Sequence, residues 1–268
     1  MASPLKTIVR ALAISSVLGL AACAGVPDAV KTSPEDPVEK IYNSAVDELE
    51  KGNYKAAATR FDDVERQYPY SNWATKAQIM AAYSLYMTNQ YDEAIVALDR
   101  FIQLHPSNKD TPYAYYLKGL SYYEQISDVG RDQMMTELAL KTLKELTNRF
   151  PDSSYTRDAK VKIDLTYDHL AGKEMDIGRY YQTRGQYLAA INRFDAVVKK
   201  YQTTTHTPEA LLRLVESYLA LGLVEEARKS ASVLGYNFPK SSWYKDAYAL
   251  LGDPTFQVEE DKPWYKVW

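Results

Sequence analysis

A chain of 268 residues that is 46% hydrophobic and 25% charged is long enough to bury a substantial core and has the mixture of an ordinary folded protein. Its net charge of −3, with no block of Lys or Arg, excludes a general affinity for nucleic acid, and 11 glycines are too few for a turn-rich β architecture. One feature is anomalous: 23 tyrosines stand against 6 phenylalanines.

Residues 1–22 read as an address rather than a structural element. Lys6 and Arg10 give a positive start, residues 11–20 are a short apolar run, and Leu20-Ala21-Ala22-Cys23 closes it. A spanning helix needs about 20 apolar residues, so this run is too short to cross a bilayer and reads as a secretory signal. Its ending resembles a bacterial lipobox, in which small side chains fit the peptidase and Cys23 takes the diacylglycerol. Cys23 is the single cysteine of the chain, and its place after Leu-Ala-Ala favours lipidation over a stray thiol. In the lipoprotein pattern an Asp at the next position retains the protein at the inner membrane; Ala24 implies transfer to the outer one. Two or three acyl chains, at about 0.8 kcal/mol per buried CH₂, make a stable anchor. Residues 23–36, rich in Pro, Ser, Asp and Lys, read as a flexible tether.

Folding is expected to begin at Asp36-Pro37-Val38-Glu39, with Asp36 as helix cap and Pro37 at the first helical position. Beyond it a unit recurs. Residues 185–201 (GQYLAAINRFDAVVKKY) match 52–69 (GNYKAAATRFDDVERQYP), 89–106 (NQYDEAIVALDRFIQLHP) and 222–239 (GLVEEARKSASVLGYNFP), while 136–151 (TELALKTLKELTNRFP) keeps the second half. Each copy has a turn, a small residue (Ala57, Ala94, Ala139, Ala190, Ala227) for close helix approach, and in four of them a large one (Phe61, Leu98, Leu143, Phe194) to fill the groove to the next unit. That pattern is the second helix of a tetratricopeptide (TPR) unit, and one helix pair cannot bury its apolar face alone, so the units must stack. The copy ends at Pro69, Pro106, Pro151, Gln202 and Pro239 are 37, 45, 51 and 37 residues apart. Against a repeat of about 34 residues, the two middle intervals predict short insertions or lengthened helices in units three and four.

The expected architecture is all-α: a TPR solenoid of about five helix pairs over residues 37–251, closed by a capping helix near 242–251. First helices are predicted at 37–51, from Asn72 to a turn at 88–90, and from a Thr111-Pro112 start that reads as a good cap. An ordered loop is expected between Ile126 and Gln133, and then one long helix after Pro151, or two with a bend near Gly172. Thr207-Pro208-Glu209 opens unit five. Residues 252–268, with two prolines and two tryptophans, form a tail that reads as a loose binding segment.

No catalytic constellation emerges. There is no Gly-rich phosphate loop, no His-Glu-x-x-His and no nucleophile elbow, so neither an enzyme nor a cofactor is expected. His105 and His206 read as turn residues. Asp164 and Asp168 beside His169 lie within helical reach of one another, but three or four convergent ligands would be needed for a metal, and a solvated helix face is the better reading.

The tyrosines are more informative. In a stacked TPR array the concave wall is made by the first helices. Counting back from each turn puts Tyr42 on that wall in unit one, Tyr83 and Tyr86 in unit two, and Tyr113, Tyr116, Leu120 and Tyr123 in unit three, with Lys76 beside them as a candidate cation. The same count puts Met175, Arg179 and Gln182 on the wall in unit four, and Glu209, Leu212, Glu216 and Leu219 in unit five. Tyr115 and Tyr122 fall at core positions. The wall is therefore expected to be aromatic in its N-terminal half and polar in its C-terminal half; aromatics facing solvent mark an interface.

The lipobox at Cys23, the five TPR-like units and the phrase IGRYYQTRGQYLAAINRF together resemble the BamD family of outer-membrane protein assembly lipoproteins. That resemblance implies a non-catalytic, lipid-anchored scaffold on the periplasmic face of the cell outer membrane. It implies that the N-terminal wall meets unfolded outer-membrane β-barrel proteins. It also implies that the C-terminal units dock on the periplasmic domains of the barrel subunit BamA, through Tyr180, Tyr181, Arg184 and Arg193, alongside other lipoproteins of the complex. The alternative is another TPR lipoprotein, one that recruits cell-wall hydrolases or assists pilus assembly.

Overall fold

The computed structural model describes residues 36–252. The expectations for the signal, for Cys23, for the tether before Asp36 and for the tail after Gly252 fall outside the described residues. Within them the chain forms helices and no strand: α1 (Val38–Glu50), α2 (Tyr54–Gln67), α3 (Asn72–Met87), α4 (Tyr91–Leu104), α5 (Thr111–Tyr123), α6 (Met134–Arg149), α7 (Thr156–Thr183), α8 (Tyr187–Lys200), α9 (Thr207–Ala220), α10 (Val224–Asn237) and α11 (Ser242–Leu251). Consecutive helices pair into five units, and α11 lies against α9 and α10 at the end of the stack. None of these helices is long and apolar enough to cross a membrane.

The repeat positions do the packing that their sizes suggest. Ala57, Ala94, Ala139, Ala190 and Ala227 are all fully buried, as are Phe61, Leu98, Leu143 and Phe194. In two units the first helix answers the large residue with a glycine. A side chain at Gly119 would collide with Leu143, and one at Gly178 with the Phe194 ring. Buried clusters run across unit boundaries: Ala171, Met175, Ala190, Phe194 and Val197 of unit four close on Ala210 and Leu214 of unit five. The core is thus a continuous seam, as stacking requires. The short turns inside units one, two, four and five each use one left-handed residue, such as Gly185 (φ +72°) in unit four and Asn89 (φ +59°) in unit two, whereas the longer unit-three loop has none.

The two long intervals have different causes. Unit three carries the loop 124–133, and unit four carries the 28-residue α7, which is continuous through Gly172 rather than split there. The loop is ordered by α7. His169 Nε2 donates to the Ser127 carbonyl at 2.8 Å and Lys173 Nζ to that of Gly130 at 3.0 Å.

Both expected caps are corrected. α1 starts one residue late, with Pro37 at its cap, because the Asp36 carboxylate accepts from Lys40 Nζ at 2.8 Å instead of from the helix backbone. Thr111 does not cap α5; its hydroxyl donates to the His105 carbonyl at 2.7 Å. Thr156 and Thr207 repeat that bond to Phe150 and Tyr201, at 2.7 and 3.0 Å. All three threonines are buried, so each hydroxyl ties the end of one unit to the start of the next. The residue just before each threonine, Asp110, Tyr155 or His206, becomes the helix cap position, with helical backbone angles and no side-chain cap bond.

Candidate functional site

The tyrosines that counting puts on the wall form runs of ring contacts in units one to three. Tyr42 packs at 4.8 Å on Trp73 and 5.4 Å on Phe61, ring centre to ring centre. Tyr83 meets Tyr54 edge-on at 6.5 Å, and Tyr86 meets Tyr91 at 5.6 Å. Tyr113 and Tyr116 both contact Tyr155, each at 5.2 Å. Lys162 Nζ lies 4.9 Å over the Tyr123 ring. Leu120 is half-buried, as are the wall tyrosines, so the wall is a packed sheet of rings with one face outward rather than a set of free side chains.

Two of their hydroxyls are held by acids from the next unit. Tyr86 donates to Glu124 Oε1 at 3.3 Å and Tyr116 to Asp158 Oδ2 at 2.6 Å. Burial, then the Glu124 charge, pushes the Tyr86 phenol from its ordinary 10.0 up to about 12. Burial also raises Tyr113, and the phenols of Tyr83, Tyr155 and Tyr86 add to that shift because they crowd the same spot. Tyr116 is raised by burial and by the hydrogen bond to Asp158. These phenols therefore stay neutral donors at ordinary pH.

Where units one to three meet the start of unit four, the wall opens into a groove of about 210 Å³ lined by Tyr42, Lys76, Ile79, Met80, Asp110, Tyr113 and Tyr155. Lys76 is exposed there, with Nζ 5.3 Å from the Trp73 ring centre. No carboxylate among the described residues lies within ion-pair reach of it. The groove thus offers rings, a cation and one acid at Asp110.

The C-terminal wall is polar, but two of its expected members are not on it. Met175 is fully buried among the Phe194 cluster, and Leu212 is 3% exposed, packed with the α10 and α11 contacts of unit five. In unit five Glu209 and Glu216 stand where expected, but Arg213 takes the place expected for Leu212, since Glu209, Arg213 and Glu216 share a helix face at spacings of four and three. Arg213 bonds both acids, at 3.4 Å to Glu209 and 2.9 Å to Glu216. Across the units, Arg179 Nη1 reaches both Glu209 oxygens at 2.9 and 3.0 Å, and Gln182 Nε2 donates to Glu216 at 2.8 Å. Leu219 is partly buried against α10 and α11. This half satisfies its own charges.

Of the four expected docking residues, Tyr180 and Tyr181 lie on the last turn of α7, Arg184 caps that helix, and Arg193 lies on α8. The Arg184 guanidinium lies 4.2 Å over the Tyr180 ring, and Tyr180, 51% exposed, meets Tyr181 edge-on at 5.7 Å. Tyr181 and Arg193 then line a groove of about 310 Å³ with Glu174, Ala189, Asn192, Ala196 and Lys200. Arg193 is not a free cation: its Nη1 is 3.1 Å from Glu174 Oε2.

Sequence counting missed Tyr155, Glu124, Asp158 and Glu174. Tyr155 carried a signal, since it precedes a threonine in the same register as Asp110 and His206, but it belongs to a turn and not to a wall position. Asp168, weighed as a metal ligand, instead accepts from the Thr205 backbone N–H at 3.0 Å and hydroxyl at 2.7 Å, with His206 at 3.6 Å. Among the described residues no three His, Cys, Asp or Glu side chains converge as a metal site.

Fold and site together define a TPR-type helical scaffold of stacked helix pairs with side-chain-lined grooves. Residues 34–234 match the family described as YfiO, an outer membrane lipoprotein. The chain is 52% identical over 250 residues to the outer membrane protein assembly factor BamD of Caulobacter vibrioides, covering 93% of this chain and 81% of that one. It is 50% identical over 215 residues to the BamD of Rickettsia prowazekii (80% and 86% covered), and 34% identical over 270 residues to that of Neisseria meningitidis serogroup A (96% and 98%). The chain belongs to the BamD family of outer-membrane protein assembly factors.

Proposed function

We propose that the protein is a non-catalytic, lipid-anchored scaffold of outer-membrane β-barrel assembly, working from the periplasmic face of that membrane. Units one to three receive unfolded barrel chains on the aromatic wall. Units four and five dock on the periplasmic domains of the barrel subunit BamA through Tyr180, Tyr181, Arg184 and Arg193. Other lipoproteins of the complex join the same scaffold. The observation that carries this reading is the groove in which Lys76, without a carboxylate partner, stands among Tyr42, Tyr113 and Tyr155. Barrel chains characteristically end in an aromatic residue after alternating apolar ones. Rings match that side chain, and an unpaired ammonium matches its terminal carboxylate.

Two experiments test the reading. A native pull-down on the full chain is expected to recover an integral barrel protein with tandem periplasmic domains; recovery of cell-wall hydrolases in its place refutes the assembly role. Cys23→Ser is expected to abolish lipidation and to release the protein from outer membranes in cells depleted of the barrel partner. Continued sedimentation of that variant would put the anchor elsewhere.

A further inference from the structure

The first helices do not make the aromatic wall alone. In each of the three threonine-tied junctions, the residue at the cap of one unit's first helix reaches the first helix of the unit before it. Asp110 reaches the Lys76, Ile79 and Met80 groove of unit two. His206 reaches Asp168 and Gly172 of unit four, where a Cβ added at Gly172 would lie 3.3 Å from its ring. Tyr155 reaches unit three. Its ring is nearly parallel to that of Tyr116, at 24° and 5.2 Å, and tilted against that of Tyr113 at the same distance. It therefore holds two wall rings at once and also lines the groove that contains Lys76.

We propose that Tyr155, supplied by unit four, is a specificity-determining residue of the aromatic groove: it fixes the planes of Tyr113 and Tyr116 and closes the groove with a third ring. The Thr156 bond to the Phe150 carbonyl at 2.7 Å and the Ala159 N–H bond to the Tyr155 carbonyl at 3.0 Å set the backbone from which that ring projects. Both contacts of Tyr155 on the wall are made by its ring, so its contribution is a face for aromatic side chains and not a hydrogen bond. Removing the face costs selectivity for an aromatic ligand, because an aliphatic side chain gains little from an oriented ring while an aromatic one gains from offset or edge-on stacking.

The inference rests on the proposed peptide-binding role of the wall, and its test separates the two. Two synthetic peptides with the same barrel-like sequence, one ending in Phe and one in Ala, are titrated against the mature protein by fluorescence. Tyr155→Phe is expected to keep the parental preference for the Phe-ended peptide. Tyr155→Ala is expected to bind that peptide about fivefold or more weakly while its affinity for the Ala-ended peptide is nearly unchanged. Should Tyr155→Ala melt at lower temperature, Tyr155→Leu, which fills the same space without an aromatic face, takes its place with the same expectation. Parental selectivity in the Ala or Leu variant, alongside lost binding in a Tyr86→Ala, Tyr116→Ala double variant, overturns the role of Tyr155 and leaves the wall reading intact. Parental binding in all of these variants overturns both.

Discussion

The two halves of the concave wall are built on one repeat and finished in opposite ways. In units one to three the wall side chains are rings packed on one another, with the Tyr86 and Tyr116 hydroxyls taken by Glu124 and Asp158, and Lys76 stands beside them without a carboxylate partner. In units four and five the wall side chains are charges, and Arg179, Arg213, Glu209 and Glu216 spend them on each other. A polar surface that has already paired its charges gains little by meeting a partner, whereas a ring surface with one unpaired cation still has desolvation and stacking to gain. The groove of the C-terminal half lies elsewhere, beside α7 and α8 around Arg193. One scaffold thus offers two kinds of surface at two addresses.

Both halves stand on the same buried repeat positions, and the largest effects are expected there. Phe61 and Phe194 occupy the same repeat position and are both fully buried. Phe61→Ala and Phe194→Ala are each expected to lower stability by about 3–5 kcal/mol in denaturant unfolding. A markedly smaller loss in one of them would mean that its half is packed by other means.

Next in size is Arg193→Glu. It breaks a half-exposed pair with Glu174, for which a stability change of about 1 kcal/mol or less is expected. A guanidinium at the centre of an interface is worth about 2 kcal/mol or more, so docking on the barrel partner should weaken by well over tenfold in a binding titration. Loss of several degrees of melting temperature with unchanged docking would make Arg193 structural. The double change Tyr86→Ala, Tyr116→Ala is expected to weaken binding of an aromatic-ended peptide by about tenfold, or about 1.4 kcal/mol, with circular dichroism and partner docking unchanged.

The smallest effect is in alkali. Tyr86 has its folded pKa raised from 10.0 to about 12, so the neutral phenol is favoured by folding. Its contribution is complete below about pH 10 and is lost as pH rises from there toward about 12. Tyr113 and Tyr116 are raised in the same direction. Unfolding midpoints measured from pH 9 to 12 should fall less steeply for Tyr86→Phe than for the parent; equal slopes would show that this phenol is not coupled to folding.

Much of the fold was legible because packing in a repeat depends on residue size at fixed intervals. Ala57 to Ala227 and Phe61 to Phe194 could be read from spacing, and so could the turn at Gly185. The caps were not, because Asp36 and Thr111 had better partners, Lys40 and the His105 carbonyl, that propensity does not reveal. The unit five stripe was misread for a related reason: counting chose apolar Leu212, whereas burial took Leu212 inward and left Arg213 between its two acids. Tyr155, Glu174 and Asp158 were invisible to counting because each matters through a residue at least 19 positions away in the chain, across a unit boundary or between paired helices.

The proposed division of labour between the two surfaces is open to site-specific photocrosslinking. A photoreactive phenylalanine analogue placed at Tyr116 or at Tyr181, in the full-length lipidated protein in cells making a labelled barrel substrate, reports what each surface touches. Adducts to the unfolded substrate are expected from position 116, and adducts to the barrel subunit from position 181. Substrate adducts from position 181 with none from position 116 would contradict that division.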